Sequence, residues 1–259
     1  MRIDFHTHGK LAKKLPFSTK YTDLLFKKAK NSGLDAICLT EHFNTLEFDK
    51  MYHYIYEQCD KVGDCCITKE GLKIFFGMEV DIKEGGHTLV IGKFNDILKL
   101  NQLLENNKTK DTFLSFDELI SLYQGYNVIF GAAHPFREKS HIPELSDHQL
   151  KYFDFIDLNG KDLANDLSKT KESIYQFAGR LNKPIVSGSD THQATQYGCV
   201  YTCLKNDVNY IDDLRKEIKE QNYYINIAES IYLQVEDANF QKRLLKEIHR
   251  LGGDYVSML

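Results

Sequence analysis

Short apolar runs alternate along this chain with longer amphipathic stretches, and most of the apolar runs end abruptly in polar residues. The runs predict strands at Arg2–Phe5, Ala36–Leu39, Lys73–Glu79, Leu89–Ile91, Val128–Ala132, Phe155–Leu158, Ile185–Gly188 and Val200–Leu204. Helical spacing falls at Tyr21–Ser32, where Leu24, Leu25 and Ala29 lie among lysines and Gly33 supplies a C-terminal stop. Further helices are expected over Leu46–Val62, ending near Gly63, and over Asp96–Leu104, Phe116–Tyr123, Leu163–Leu181, Ile211–Glu220 and Val235–Leu251. Asn106–Thr112 reads as a polar loop, and Gly85-Gly86-His87-Thr88 as a turn into the next strand. Strands separated by such helices imply parallel pairing through right-handed crossovers. About seven strand–helix units follow, close to a closed α/β barrel. No repeat or Pro/Gly-rich linker divides the chain, so residues 1–259 are expected to form one domain.

Composition narrows the picture slightly. A formal net charge of −4 argues against an extended basic surface for nucleic acid. No apolar run approaches the ~20 residues that span a bilayer. Asp4, His6 and His8 interrupt the N-terminus, so no signal-peptide core is present and a cytoplasmic location without a membrane partner is expected. The six cysteines include the adjacent pair Cys65-Cys66 but no Cys-x-x-Cys, so a cysteine-based zinc site is not expected.

The strand ends carry the chemistry. His6-Thr7-His8 follows the first strand, Glu41-His42 the second, and Asp190-Thr191-His192 the run Ile185–Ser189, while Glu79 and His134 close two apolar runs. A barrel gathers such ends at one rim, where barrels carry their active sites. Alternation along an extended strand would put Asp4, His6 and His8 on one face, with two imidazoles to grip a cation and Asp4 to orient a ring. Glu79, beside Phe75, Phe76 and Met78, would be costly to bury unpaired, which a bridging role between cations removes, as a salt bridge to a lysine also would. His134 leads through Pro135 to Arg137, whose guanidinium suits a phosphate. His87 follows two glycines at the mouth of a strand. His53, His141, His148 and His249 lie in polar or helical surroundings and read as surface residues.

Taken in order, His6-x-His8, Thr40-Glu41-His42, Gly77-x-Glu79, Gly86-His87, Ala133-His134-Pro135, Asp157-Leu158-Asn159-Gly160 and Gly188-Ser189-Asp190-x-His192 resemble the PHP (polymerase and histidinol phosphatase) family. The resemblance implies a distorted (β/α)7 barrel, two or three divalent transition metals (zinc, manganese or iron) and hydrolysis of a phosphate ester by a metal-bridged hydroxide. It implies that His6, His8, Glu79 and Asp190 hold one metal, that Glu79, His134 and His87 hold a second, and that His42 and His192 hold a third. The family often places another His or Asp a few residues after the second motif histidine; here Gly9–Leu15 holds three lysines and no ligand, which weakens the case for the third metal. Glu79, Asp190, His192 and Arg137 are the expected catalytic set, with Arg137 on the phosphoryl oxygens and His192 or His42 on the leaving alcohol. A small phosphorylated substrate is expected, with a nucleotide or short oligonucleotide open. The alternatives are a metal hydrolase cutting a C–N or C–O bond and a non-catalytic, metal-bound regulatory module.

Overall fold

A computed structural model describes residues 1–259. In chain order the strands are β1 (Arg2–Thr7), β2 (Ala36–Leu39), β3 (Asp60–Val62), β4 (Cys65–Ile67), β5 (Lys73–Asp81), β6 (His87–Gly92), β7 (Ile129–Ala133), β8 (Phe155–Asn159), β9 (Ile185–Gly188), β10 (Val200–Leu204) and β11 (Tyr223–Ile227). The helices are α1 (Thr19–Asn31), α2 (Phe48–Gln58), α3 (Phe94–Leu103), α4 (Phe116–Tyr123), α5 (Asp147–Leu150), α6 (Gly160–Asn165), α7 (Leu167–Leu181), α8 (Ile211–Glu220) and α9 (Ile231–Arg250). The sheet runs β11-β10-β1-β2-β5-β6-β7-β8-β9, with β4 also on β5 and β3 on β4.

This path curls into a nearly closed α/β barrel, because β9 returns to β1. A bridge joins Thr7 to Thr191, His8 N–H donates to the Thr191 carbonyl at 3.0 Å, and Asp190 N–H donates to the His6 carbonyl at 2.7 Å. Gly188 makes the approach possible: a Cβ there would lie 2.2 Å from the His6 Cβ and 2.8 Å from its backbone nitrogen. Inside the barrel, Ile3, Phe5, Phe75, Ile129, Phe155 and Val186 form one apolar cluster, extended by Ile211, Leu214 and Ile218 of α8. A second, larger cluster fills the layer between sheet and helices.

Several local expectations are corrected. Pairing is parallel for β1–β2, β2–β5, β7–β8 and β8–β9, but antiparallel for β5–β6, β6–β7, β1–β10 and β10–β11. For the two pairings of β6 the cause is the short link after β5: Gly85 and Gly86 at φ 97 and 114° turn the chain straight back, and parallel strands would need a long crossover. The helix expected to reach Val62 ends at Gln58. Its tail is instead a hairpin, β3–β4, turned at Gly63 with φ 63°, which puts Cys65 and Cys66 in a strand. The helix expected over Leu163–Leu181 is two helices parted at Asp166, which is extended and caps α7 by accepting from Lys169 N–H. Strand β11 was not expected, and β5 runs on to Asp81, so Glu79 lies inside the strand rather than closing it.

Candidate metal centre

The β1 strand delivers two imidazoles inward by breaking its own alternation. Its register against β2 shifts between Asp4 and Thr7. Ile3 and Phe5 lie in the inner apolar cluster, and past the shift His6 and His8 also converge on Glu79. Asp4 is therefore not the group that orients a ring. Its Oδ1 accepts from the backbone N–H of His6 and Ser189, at 3.1 and 2.9 Å. The orienting carboxylate is Asp157 of β8, with Oδ2 at 3.0 Å from His6 Nδ1.

Phe75, Gly77 and Glu79 alternate onto one face of β5, so Glu79 stands above the apolar interior. Its Oε2 lies 3.6 Å from His6 Nε2, 3.6 Å from His8 Nε2 and 2.9 Å from His42 Nδ1. Its Oε1 lies 2.7 Å from His87 Nδ1 and 3.0 Å from His134 Nε2. One carboxylate thus meets five imidazoles. Asp190 Oδ1 lies 3.2 Å from His8 Nε2 and 4.0 Å from His6 Nε2 and from His192 Nδ1. The His192 ring stacks on His8 with centroids 4.0 Å apart.

These groups form four overlapping triads: His6–His8–Glu79, Glu79–His87–His134, His6–His134–Asp190 and His8–His42–His192. Ligands about 2.1 Å from a cation sit roughly 3–3.6 Å from one another, close to the spacing found here. Buried His6 Nε2, His8 Nδ1, His134 Nδ1 and His192 Nδ1 have no hydrogen-bond partner in the protein, and His42 Nδ1 and Glu79 Oε2, though 2.9 Å apart, are not aligned as a hydrogen bond. Unmet buried donors and acceptors are costly, and divalent cations would satisfy most of this set at once. The residues fit a multinuclear metal site. The fourth triad needs no ligand from Gly9–Leu15, because His8 serves with His42 and His192. His53, His141, His148 and His249 are exposed and belong to none of the triads, as expected.

Electrostatics favour cations. Burial pushes the Glu79 carboxyl up, but His42, His87 and His6 outweigh it and hold it well below the usual carboxylate range. Burial likewise opposes ionisation of Asp190, but Lys161, Arg137 and His6 carry it far down. Burial would lower His6 and His87, yet Glu79 and Asp190 raise the first, and Glu79 and Asp81 the second, to about 10. The field therefore draws positive charge, which protons or metal ions supply. Burial, with Arg137, pushes His134 down to about 4, and burial first also lowers His42 and His192, leaving neutral imidazoles fit to ligate.

A second tier holds the ligands in place, and much of it escaped the sequence reading. Arg137 donates from Nη1 to Asp190 Oδ2 at 2.7 Å, from Nε to Asp162 Oδ1 at 3.0 Å and from Nη2 to Asn159 Oδ1 at 2.8 Å. Lys161 Nζ donates to Asp190 Oδ1 at 2.8 Å. Asn159 Nδ2 donates to Asp157 Oδ2 at 3.0 Å, so one chain of bonds links Arg137 to His6. Glu41 lies 3.5 Å from His8, and Asp81 lies 3.1 Å from His87. The alternation Asp157-x-Asn159 was a legible signal for a polar inner face of β8, and Lys161 follows in the first turn of α6. His134 and Asp190 adopt φ of 29 and 55°, a left-handed backbone in which His134 N–H donates to Asp157 Oδ2 at 3.4 Å and Asp190 N–H to the His6 carbonyl at 2.7 Å.

A nearly closed α/β barrel with a cluster of histidines and carboxylates at its inner rim defines the class. The chain belongs to the PHP domain family, whose family model matches residues 4–230. Among solved structures it is similar to PsfC from Pseudomonas syringae PB-5123, with 20% identity and a TM-score of 0.74 over 94% of this chain and 98% of that one. It is also similar to the lesion-specific endonuclease PfuEndoQ from Pyrococcus furiosus, with 19% identity and a TM-score of 0.62. That match covers 86% of this chain and 57% of the endonuclease. At these identities the likeness is one of fold. No curated protein matches the sequence. No helix is long and apolar enough to cross a membrane.

Proposed function

We propose that this protein is a metal-dependent phosphoesterase acting on a small phosphate ester. The observation that carries this reading is the Glu79 carboxylate, buried among five imidazoles with Asp190 beside them. His6, His8, Glu79 and Asp190 would hold one divalent transition metal, zinc, manganese or iron, and Glu79, His87 and His134 a second. Bound there, such ions supply Lewis acidity to phosphoryl oxygens and a water of lowered pKa. His8, His42 and His192 form the place for a third.

The chain's own groups do the rest. Asp157 fixes the His6 ring through Nδ1, leaving Nε2 to ligate. Arg137 and Lys161 hold both oxygens of Asp190 and line a cavity of about 510 Å³, a size suited to a small ester. Their remaining N–H groups are assigned to the phosphoryl oxygens, where they offset charge that grows in the transition state. Burial holds His192 and His42 neutral, so the leaving alcohol takes its proton from solvent water, and the ion count per chain shows whether these two imidazoles hold a third ion.

The fold likeness to endonuclease Q, whose structure with a 27-mer duplex substrate is known, keeps a nucleotide or short oligonucleotide among the candidate substrates. The same centre would also suit a C–N or C–O hydrolase. The two cations at the cavity favour phosphate. A panel of phosphate esters, amides and lactones, run with added manganese, zinc or iron, tests the reading. Phosphate release is the expected result; turnover of amides or lactones alone would replace it.

A further inference from the structure

The last helix, α9, lies beyond the region matched by the family, residues 4–230, yet it packs against the metal centre's own elements. It rests on α6, which carries Lys161, and on the turn Ala194–Gln196 that follows His192. Ile231, Val235, Ala238 and Leu245 are its buried residues. Lys242 follows Val235 by seven positions and Ala238 by four, so it shares that inward side. It is half-buried there. Its charge reaches the centre: after burial and His8, Lys242 helps hold the His192 imidazole down. Burial and the nearby Lys161 lower the Lys242 ammonium to about 7, against the weaker pull of Asp190 and Glu41 and with Lys246 adding repulsion.

The other cations around the centre each hold a protein group. Arg137 and Lys161 bind Asp190, and Lys10 donates to the Leu46 carbonyl. Lys242 and Lys246 have no such partner. They stand four residues apart, where like charges repel. They line an open groove of about 600 Å³ whose one acid, Glu247, is already paired with Arg250. Asn239 lines both this groove and the 510 Å³ cavity beside Asp157 and Arg137, so the two spaces adjoin at that residue. The groove is thus a basic wall without a free acid, adjoining the cavity that Arg137 and Lys161 line.

We propose that Lys242 and Lys246 clamp a second oxyanion group of the substrate, beyond the phosphate taken by the centre. The substrate class is then a phosphate ester whose alcohol portion carries a further phosphate or carboxylate. This rests on the phosphoesterase reading. The test uses the metal-loaded protein and a matched series: glycerol 3-phosphate, 3-phosphoglycerate and 2,3-bisphosphoglycerate. At least one acidic ester should exceed glycerol 3-phosphate in kcat/KM by roughly 10-fold or more. Lys242→Gln and Lys246→Gln should each cut that ratio by about 5-fold or more, chiefly through KM, and Lys→Arg at either position should restore it. The carboxylate and phosphate arms show which oxyanion the clamp prefers. Calorimetry with 2,3-bisphosphoglycerate should show the same loss of affinity in the Gln variants. If the wild type releases phosphate from no ester, the phosphoesterase reading fails, and calorimetry alone judges the clamp. A ratio and an affinity that survive both Gln variants overturn it.

Discussion

Single residues at the rim have separable jobs. Glu79 meets five imidazoles through two oxygens, so Glu79→Gln removes the charge that several ligands share. Turnover should fall by at least ~10²-fold, the scale of a lost catalytic charge. Circular dichroism should show the fold retained; near-normal turnover would contradict the bridging role. Arg137 was expected from sequence to serve phosphate, yet all three of its nitrogens also hold protein groups. Arg137→Ala should therefore raise KM, lower kcat and weaken metal retention together, because Asp190 loses an anchor. Loss of activity with fully normal metal affinity would show that its hold on Asp190 is incidental. Lys13→Ala and Lys14→Ala should do less than Arg137→Ala. Histidines and carboxylates stood out in the sequence because they ended apolar runs. Glu41 stood out beside His42 and Asp157 only within the family pattern; Asp81 and Lys161 did not, since a charged residue in or beside a strand has many ordinary explanations. Asp4 was misread because a register shift is invisible in a pattern of alternation.

At the scale of elements, the sequence reveals where strands lie better than how they pair. Nearly every apolar run became a strand, and β1, β2 and β5 to β9 deliver residues to the rim. The two antiparallel steps around β6 followed from one glycine turn, whose length, not its hydrophobicity, decides direction. The β3–β4 hairpin hid inside an amphipathic stretch with few breakers, and β11 is half-exposed and lacks an apolar run. The closure of β9 on β1 is the most sensitive junction. A side chain at Gly188 meets His6 at its Cβ and backbone, so neither group can give way easily. Gly188→Ala should cost about 1–3 kcal/mol and lower the melting temperature by several degrees. Metal affinity should fall with it, because His6 and Asp190 flank the junction. A variant as stable as wild type, with full metal content, would show that β1 and β9 can separate harmlessly.

Across the whole molecule, the charge balance predicts how stability responds to pH and chelator. In chelated protein, His6 and His87 titrate near 10 when folded against about 6.5 when unfolded. Their contribution is full below about pH 6.5 and is lost as pH rises towards 10. Lys242, lowered to about 7, works in the opposite direction as a single group. The melting temperature of chelated protein should therefore fall between pH 7 and 9. Metal-loaded protein should melt higher and lose less over that window, since bound cations replace those protons and stabilise the folded state by mass action. A chelated protein whose stability rose with pH would contradict the electrostatic account.

The central claim is that the rim is a multinuclear metal centre organised by Glu79. The most direct measurement is elemental analysis of gently purified protein, repeated after reconstitution with manganese, zinc or iron, for the wild type and Glu79→Gln. The account predicts at least two transition-metal ions per chain in the wild type and fewer in the folded variant. Less than one ion per wild-type chain, even after reconstitution, would contradict it.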